Sequence, residues 1–162
     1  KDFTISSWIY HDSDWTGTSD MIFDGNQADS DTSSNELGYN YYINDSNKVV
    51  FKITTAGDPD ADLTSNSVVP TNSWHHIMVI RRGSSQEIYI DSNLDASQTI
   101  DTGDVDFVGG YDDDKVTIGG WSRSGANGYR YKGKIDEVKI WNYALTDEQV
   151  KAEYNGGAVS FR

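Results

Sequence analysis

Tyr131-Lys132-Gly133-Lys134-Ile135-Asp136-Glu137-Val138-Lys139-Ile140-Trp141, followed by Asn142-Tyr143-Ala144-Leu145-Thr146-Asp147-Glu148-Gln149-Val150, is the stretch that decides the fold. Ile135 to Trp141 reads as a strand, rich in β-branched and aromatic residues. Strict alternation predicts Asp136, Val138 and Ile140 on one face and Ile135, Glu137, Lys139 and Trp141 on the other. A carboxylate in phase with Val138 and Ile140 is costly unless its charge is satisfied. Behind the strand, Thr146 and Gln149 form a capping box, with Leu145 and Val150 at the two positions of a hydrophobic staple. Asp147 and Glu148 suit the positive end of that helix, and Asn155-Gly156 predicts its end.

The remainder of the chain has the texture of an all-β domain. Short segments rich in Tyr, Trp, Val and Ile are separated by clusters of Gly, Asn, Asp and Ser. At 162 residues the length suits one domain, long enough to bury roughly 68–70% of its unfolded surface. Strands are expected at Phe3 to Tyr10, Met21 to Phe23, Gly38 to Ile43, Lys48 to Thr54, Trp74 to Arg82, Gln86 to Asp91, Val105 to Val108 and Val116 to Ile118. Asn44-Asp45-Ser46-Asn47 and Gly83-Ser84-Ser85 read as hairpin turns. Asp58-Pro59-Asp60-Ala61-Asp62 reads as an acidic loop. After the helix, Ala158 to Phe161 reads as a further edge strand, with Val159 and Phe161 on one face.

Charge narrows the function classes. Acidic residues outnumber basic ones 26 to 13, a formal charge of -13. Phosphate backbones and anionic lipid would be repelled, so nucleic acid and membrane insertion are not expected. Neutral polysaccharides, divalent cations and cationic partners stay open. No cysteine is present, which removes disulfides and thiolate metal sites. Lys1-Asp2-Phe3 opens almost directly into a strand without a signal-peptide pattern, as expected of a processed chain or one trimmed from a longer one.

Four segments carry a resemblance. They are Asp2-Phe3-Thr4-Ile5-Ser6-Ser7-Trp8-Ile9, Ser73-Trp74-His75-His76-Ile77-Met78-Val79, Ile88-Tyr89-Ile90-Asp91, and Lys132 to Trp141 with Ala144-Leu145-Thr146. Together the chain resembles the bacterial laminin-G-like family of concanavalin A-type jelly rolls, modules often appended to secreted carbohydrate-active enzymes and adhesins. Ser92 stands where the family usually has glycine. The family's usual first strand, before Asp2, is absent, and Ala158 to Phe161 has the look of that strand. The resemblance implies a structural calcium held by Asp136 and the early loop Phe23-Asp24-Gly25, with a carbonyl from Gly25 and a carboxylate from Asp24. Calcium accepts six to eight oxygens, many of them carbonyls, so one or two carboxylates suffice.

Other constellations read more plainly. Asp29-x-Asp31-x-Ser33 and Asp58-x-Asp60-x-Asp62 lack the closing glutamate and central glycine of a calcium loop. His75 and His76 are neighbours on a strand and point to opposite faces, which suits structural roles. Glu87-Ile88-Tyr89-Ile90-Asp91 is similar to the E-x-D-x-E strand of family 16 glycoside hydrolases, but Tyr89 replaces the middle acid. Trp15, Tyr39, Tyr41, Tyr42, Tyr111, Trp121, Tyr129 and Tyr131 are read as exposed rings able to stack on sugar faces. The candidate ligand-binding residues are Trp121, Arg123, Asn127 and Tyr111.

The expectation is a single domain over residues 1–162: an all-β, two-sheet antiparallel sandwich of the jelly-roll, concanavalin A-like type with one short C-terminal helix. Its expected function is non-catalytic carbohydrate binding or adhesion, in an extracellular or cell-surface protein with a structural Ca2+. The partner is then a polysaccharide or glycan. A protein–protein assembly module is the alternative, and a degenerate glycoside hydrolase the third.

Overall fold

A computed structural model of the chain describes residues 1–12, 19–25, 38–54, 61–101, 103, 105, 116–120 and 129–160. The described strands are β1 (Phe3–His11), β2 (Ser19–Asp24), β3 (Gly38–Asn44), β4 (Val49–Thr54), β5 (Ala61–Thr64), β6 (Trp74–Arg82), β7 (Ser85–Ile90), β8 (Asn93–Thr99), β9 (Thr117–Ile118) and β10 (Gly133–Trp141), followed by α1 (Asp147–Ser160). They build two five-stranded sheets, β10-β1-β6-β7-β8 and β5-β4-β3-β2-β9, antiparallel in every strand pair. We refer to them as the first and second sheets.

Period-two alternation supplies the core. Ile5 and Ile9 of β1, Ile77 and Val79 of β6 and Ile88 of β7 face Phe23, Tyr41, Ile43, Phe51 and Ile53 of the second sheet, all fully buried. Phe23 stacks between Tyr39 and Tyr41, with centroids at 5.9 and 6.1 Å and rings within 8° of parallel. Tyr39 and Tyr41 are therefore core residues, not exposed rings. Strands of Tyr-rich composition facing a second sheet bury their rings, because each ring removes a large apolar area from water.

The deciding strand departs from strict alternation. Along β1 the partners run Ser6↔Lys139 and then Trp8↔Asp136, so Glu137 and Val138 together stand opposite Ser7. Glu137 takes φ 47°, the left-handed conformation of a bulged residue. The extra residue flips the phase: Ile135 and Val138 pack on the core, while Asp136 turns outward beside Trp8 and is exposed. The expected inward carboxylate is thus resolved by a bulge, which removes the desolvation cost.

The C-terminal expectation fails. The helix does not end at Asn155-Gly156 but runs to Ser160, so no edge strand forms at Ala158 to Ser160. A glycine inside a helix costs only about 1 kcal/mol, and the helix start is firmly anchored. Thr146 N–H donates to Gln149 Oε1 at 2.8 Å and Gln149 N–H to Thr146 Oγ1 at 3.4 Å, completing the capping box. Leu145 and Val150 are buried together as the staple. Two strands escaped the sequence reading. β5 begins where an acidic loop was expected, and β8 has a polar composition suited to an edge.

Candidate functional site

The helix covers the outer face of the first sheet. Met78, Ile80 and Tyr89 pack there under Leu145 and Val150, and Tyr154 stacks on Trp8 at 5.6 Å and 19°. Arg82 ties the helix start to the sheet, donating to Leu145 O at 2.9 Å and to both oxygens of Glu87 at 3.2 and 3.3 Å. Tyr89 Oη donates between Glu87 Oε2 at 3.2 Å and Asp147 Oδ1 at 3.1 Å. Burial and these carboxylates push the phenol pKa up, so it stays a donor.

The outer face of the second sheet is different. Register places Thr117, Asp24, Asn40, Lys52 and Asp62 side by side across β9, β2, β3, β4 and β5. A neighbouring row carries Met21, Tyr42, Val50 and Thr64. Phe23 and Tyr41 face the core, so the alternate residues Asp24 and Asn40 point outward. Lys52 Nζ lies 3.8 Å from Asp62 Oδ1, and Asn40, only 3% exposed, has an Oδ1 that meets no hydrogen-bond donor. Asp24 and Asn40 are buried in this row, while the Lys52 ammonium and the Asp62 carboxylate reach solvent near the half-buried Tyr42 ring, a combination suited to hydroxyl-rich ligands. Sequence reasoning missed Asn40, Lys52 and Asp62, because only cross-strand pairing aligns them.

The residues expected to hold calcium do not converge. Asp136 lies on the outer face of the first sheet, where Oδ1 accepts the Glu137 N–H at 2.8 Å. Asp24 lies on the outer face of the second sheet, across the sandwich, and is fully buried. Sheets pack about 10 Å apart, and outward-facing carboxylates on both sides stand farther still. Gly25 follows Asp24, and its N–H donates to Tyr39 O at 2.9 Å; a Cβ there would meet the Tyr39 ring at 2.9 Å. Among the described residues no group of three or more His, Asp or Glu side chains gathers around one point. Trp121, Arg123, Asn127 and Tyr111 lie outside the described residues, as do Trp15, Asp29, Asp31, Asp58 and Asp60.

His75 and His76 do point to opposite sides: His75 pairs with the inward Ile9 and His76 with the outward Trp8. The carboxylates compared with a hydrolase strand are both engaged. Glu87 is held by Arg82, Ser85 and Tyr89, while Asp91 accepts the His76 N–H at 2.9 Å and faces His75 Nδ1 at 2.7 Å. Glu87 sits beneath the helix start and Asp91 in the β7–β8 turn, so the two do not flank a common cleft.

Residues 1–151 match the family model described as the concanavalin A-like lectin/glucanases superfamily. The chain belongs to this superfamily. Among solved structures it is similar to the sialidase CBM40 of Ruminococcus gnavus bound to α2,3-sialyllactose. The TM-score is 0.76 at 15% identity, covering 95% of this chain and 83% of that one. It is also similar to the binding domain of botulinum neurotoxin DC in complex with SialylT, with a TM-score of 0.67 at 17% identity. That match covers 96% of this chain but 35% of the toxin chain, so the present chain spans about a third of it. A heptameric pentraxin from Limulus polyphemus gives a TM-score of 0.62 at 14% identity, covering 93% and 68%. At these identities the likeness is one of fold. No helix among the described residues is long and apolar enough to cross a membrane.

Proposed function

We propose that this domain is a glycan-binding module that does not cleave glycosidic bonds, part of a secreted or cell-surface protein, with the outer face of its second sheet as the binding face. The observation that carries this reading is the part of the cross-strand row that reaches solvent, Lys52 and Asp62 beside half-buried Tyr42 and exposed Thr64, on the sheet face opposite the one α1 covers; Asp24 and Asn40 of the same row are buried. Two similar folds are solved in complex with α2,3-sialyllactose and with SialylT, which supports a sugar as the ligand class. Trp121, Arg123, Asn127 and Tyr111 belong to the proposal as sequence candidates. A glycan array followed by titration of hits against Tyr42→Ala and Lys52→Ala tests it. Loss of at least tenfold in affinity with an unchanged melting curve is expected. Unchanged affinity in both variants, or no glycan bound at all, overturns the reading.

Calcium belongs to the same proposal, in a changed place. The Asp24 carboxylate and the Asn40 amide oxygen are hard ligands on adjacent strands, and the Asn40 oxygen lacks a donor. These two residues would hold the ion, with Gly25 as a source of a carbonyl, and Asp136 takes no part. When bound, the ion supplies positive charge beside a buried carboxylate.

One observation favours assembly as a second reading. Val116, Ile118 and Ile140 are 56%, 55% and 53% exposed along the side of the sandwich closed by β9 and β10. Self-association that disappears in Ile140→Glu, read by size-exclusion chromatography, would support it.

A further inference from the structure

At the start of β6 and the end of β7, three side chains form a hydrogen-bonded chain that glycan binding does not use. Ser73 Oγ lies 2.9 Å from His75 Nε2, and His75 Nδ1 lies 2.7 Å from Asp91 Oδ2. The second oxygen of Asp91 accepts the His76 N–H at 2.9 Å, and the Asp91 N–H donates to His76 O at 2.9 Å. Asp91 is therefore fixed in position by the same strand that carries the imidazole. With Nδ1–H donating to Asp91, Nε2 is left as an acceptor aimed at the serine hydroxyl. The competing acceptor, Thr71 O, is 3.5 Å from Ser73 Oγ, so the imidazole is the closer partner.

We propose that Ser73 is an activated acyl acceptor, with His75 as its general base and Asp91 as the residue that orients the imidazole. Serine, imidazole and carboxylate in this connectivity are recognised by geometry and role, not by order in the chain. The site is reachable from solvent: Ser73 is half-buried, and the side chains of His75 and Asp91 are 15% and 29% exposed. Left-handed backbone at non-glycine residues brackets it on both sides, at Asn72 (φ 61°), Asp91 (φ 49°) and Ser92 (φ 65°). Asp91 and Ser92 take it as the two loop residues of the β7–β8 hairpin. Asn72 directly precedes the serine, and its N–H is fixed to His11 O at 2.8 Å.

The substrate class is a carboxylic ester. Ser73 Oγ bonds to the acyl carbon as its proton passes to His75 Nε2. The bond from that carbon to the leaving oxygen breaks, and His75 returns the proton to the departing alcohol. Water then attacks the acyl-serine, giving one proton through His75 to Ser73 Oγ and releasing the carboxylic acid. No redox partner or metal enters the balance. This inference is independent of the glycan-binding face, which lies on the other sheet.

A fluorophosphonate probe and p-nitrophenyl acetate test the nucleophile itself, because their good leaving groups make little demand on oxyanion donors. The whole domain is incubated with each, and the modified peptide is located by mass spectrometry. One phosphonyl group on Ser73 is expected, with a burst of p-nitrophenolate stoichiometric with protein. Ser73→Ala should abolish both, and His75→Gln should slow them by at least 100-fold while melting as the parent does, in line with the usual contribution of a general base. If Ser73 labels no faster than the exposed Ser46, or His75→Gln reacts at the parent rate, the proposal is overturned. Should His75→Gln fail to fold, the comparison of Ser73 with Ser46 in the parent decides alone.

Discussion

Tyr41 Oη donates a hydrogen bond of 2.9 Å to Ser7 Oγ, a contact that joins the two sheets through the core, as Gln86 Nε2 does by donating to Phe51 O at 2.6 Å. Both residues are fully buried, and Ser7 is the residue that stands opposite the β10 bulge. Burial pushes the Tyr41 phenol pKa up, so it remains a donor at any physiological pH. Tyr41→Phe keeps the ring stack and strands the Ser7 hydroxyl. A loss of about 1–2 kcal/mol is expected in denaturant unfolding. Adding Ser7→Ala should cost less than the sum of the two single changes. Additive losses would mean the bond contributes nothing.

Gly133 opens β10 with φ 147°, opposite His11. A Cβ built there would lie 2.0 Å from Tyr10 O, a backbone atom that cannot swing away. Gly133→Ala should therefore cost about 3 kcal/mol or more, through displaced strand pairing. A thermal midpoint within 2 °C of the parent would contradict this.

His76 gives the fold an acid sensitivity. Burial lowers its pKa from 6.5 to about 4, with Asp91 and Glu153 pulling upward and Lys139 downward. The unfolded chain takes up the proton near 6.5 and the folded chain only near 4. Stability from this residue is therefore complete above pH 6.5 and is lost as pH falls toward 4. At about 1.4 kcal/mol per pH unit, the loss between pH 7 and 4.5 is roughly 2–3 kcal/mol. Unfolding free energies at both pH values should show His76→Gln losing about 2 kcal/mol less than the parent. Equal losses would assign the acid sensitivity to the carboxylates.

The calcium proposed at Asp24 and Asn40 would have a stability signature. An ion that binds only the native state at a hundredfold excess over Kd contributes about 2.7 kcal/mol. For a chain of this length, that corresponds to a midpoint about 5–10 °C higher with calcium than with chelator. Asn40→Leu should erase the difference and Asp136→Asn should leave it. The opposite pattern would return the ion to β10.

The two ends of the deciding stretch show how far the sequence reached. Thr146, Gln149, Leu145 and Val150 behave as read, because a capping box and its staple lie within one helical turn and need no distant partner. Asp136 did not follow its alternation, because the bulge that turns it outward is specified jointly by β10 and by Ser7 on β1. The hairpins around Asn44–Asn47 and Gly83–Ser85 were legible for the same local reason as the cap. Tyr39 and Tyr41 were misread as exposed, since one strand does not say which face meets a second sheet.

By itself the sequence determined the all-β class, the family, the capped C-terminal helix and the exclusion of thiol chemistry, all of which rest on residue type at short spacing. The tertiary structure alone decided which residues share a surface. Asp24, Asn40, Lys52 and Asp62 come from four strands and meet only through register. Ser73, His75 and Asp91 meet only because β6 pairs with β7. Contacts of this kind depend on pairing between segments distant in the chain, and no local propensity encodes them.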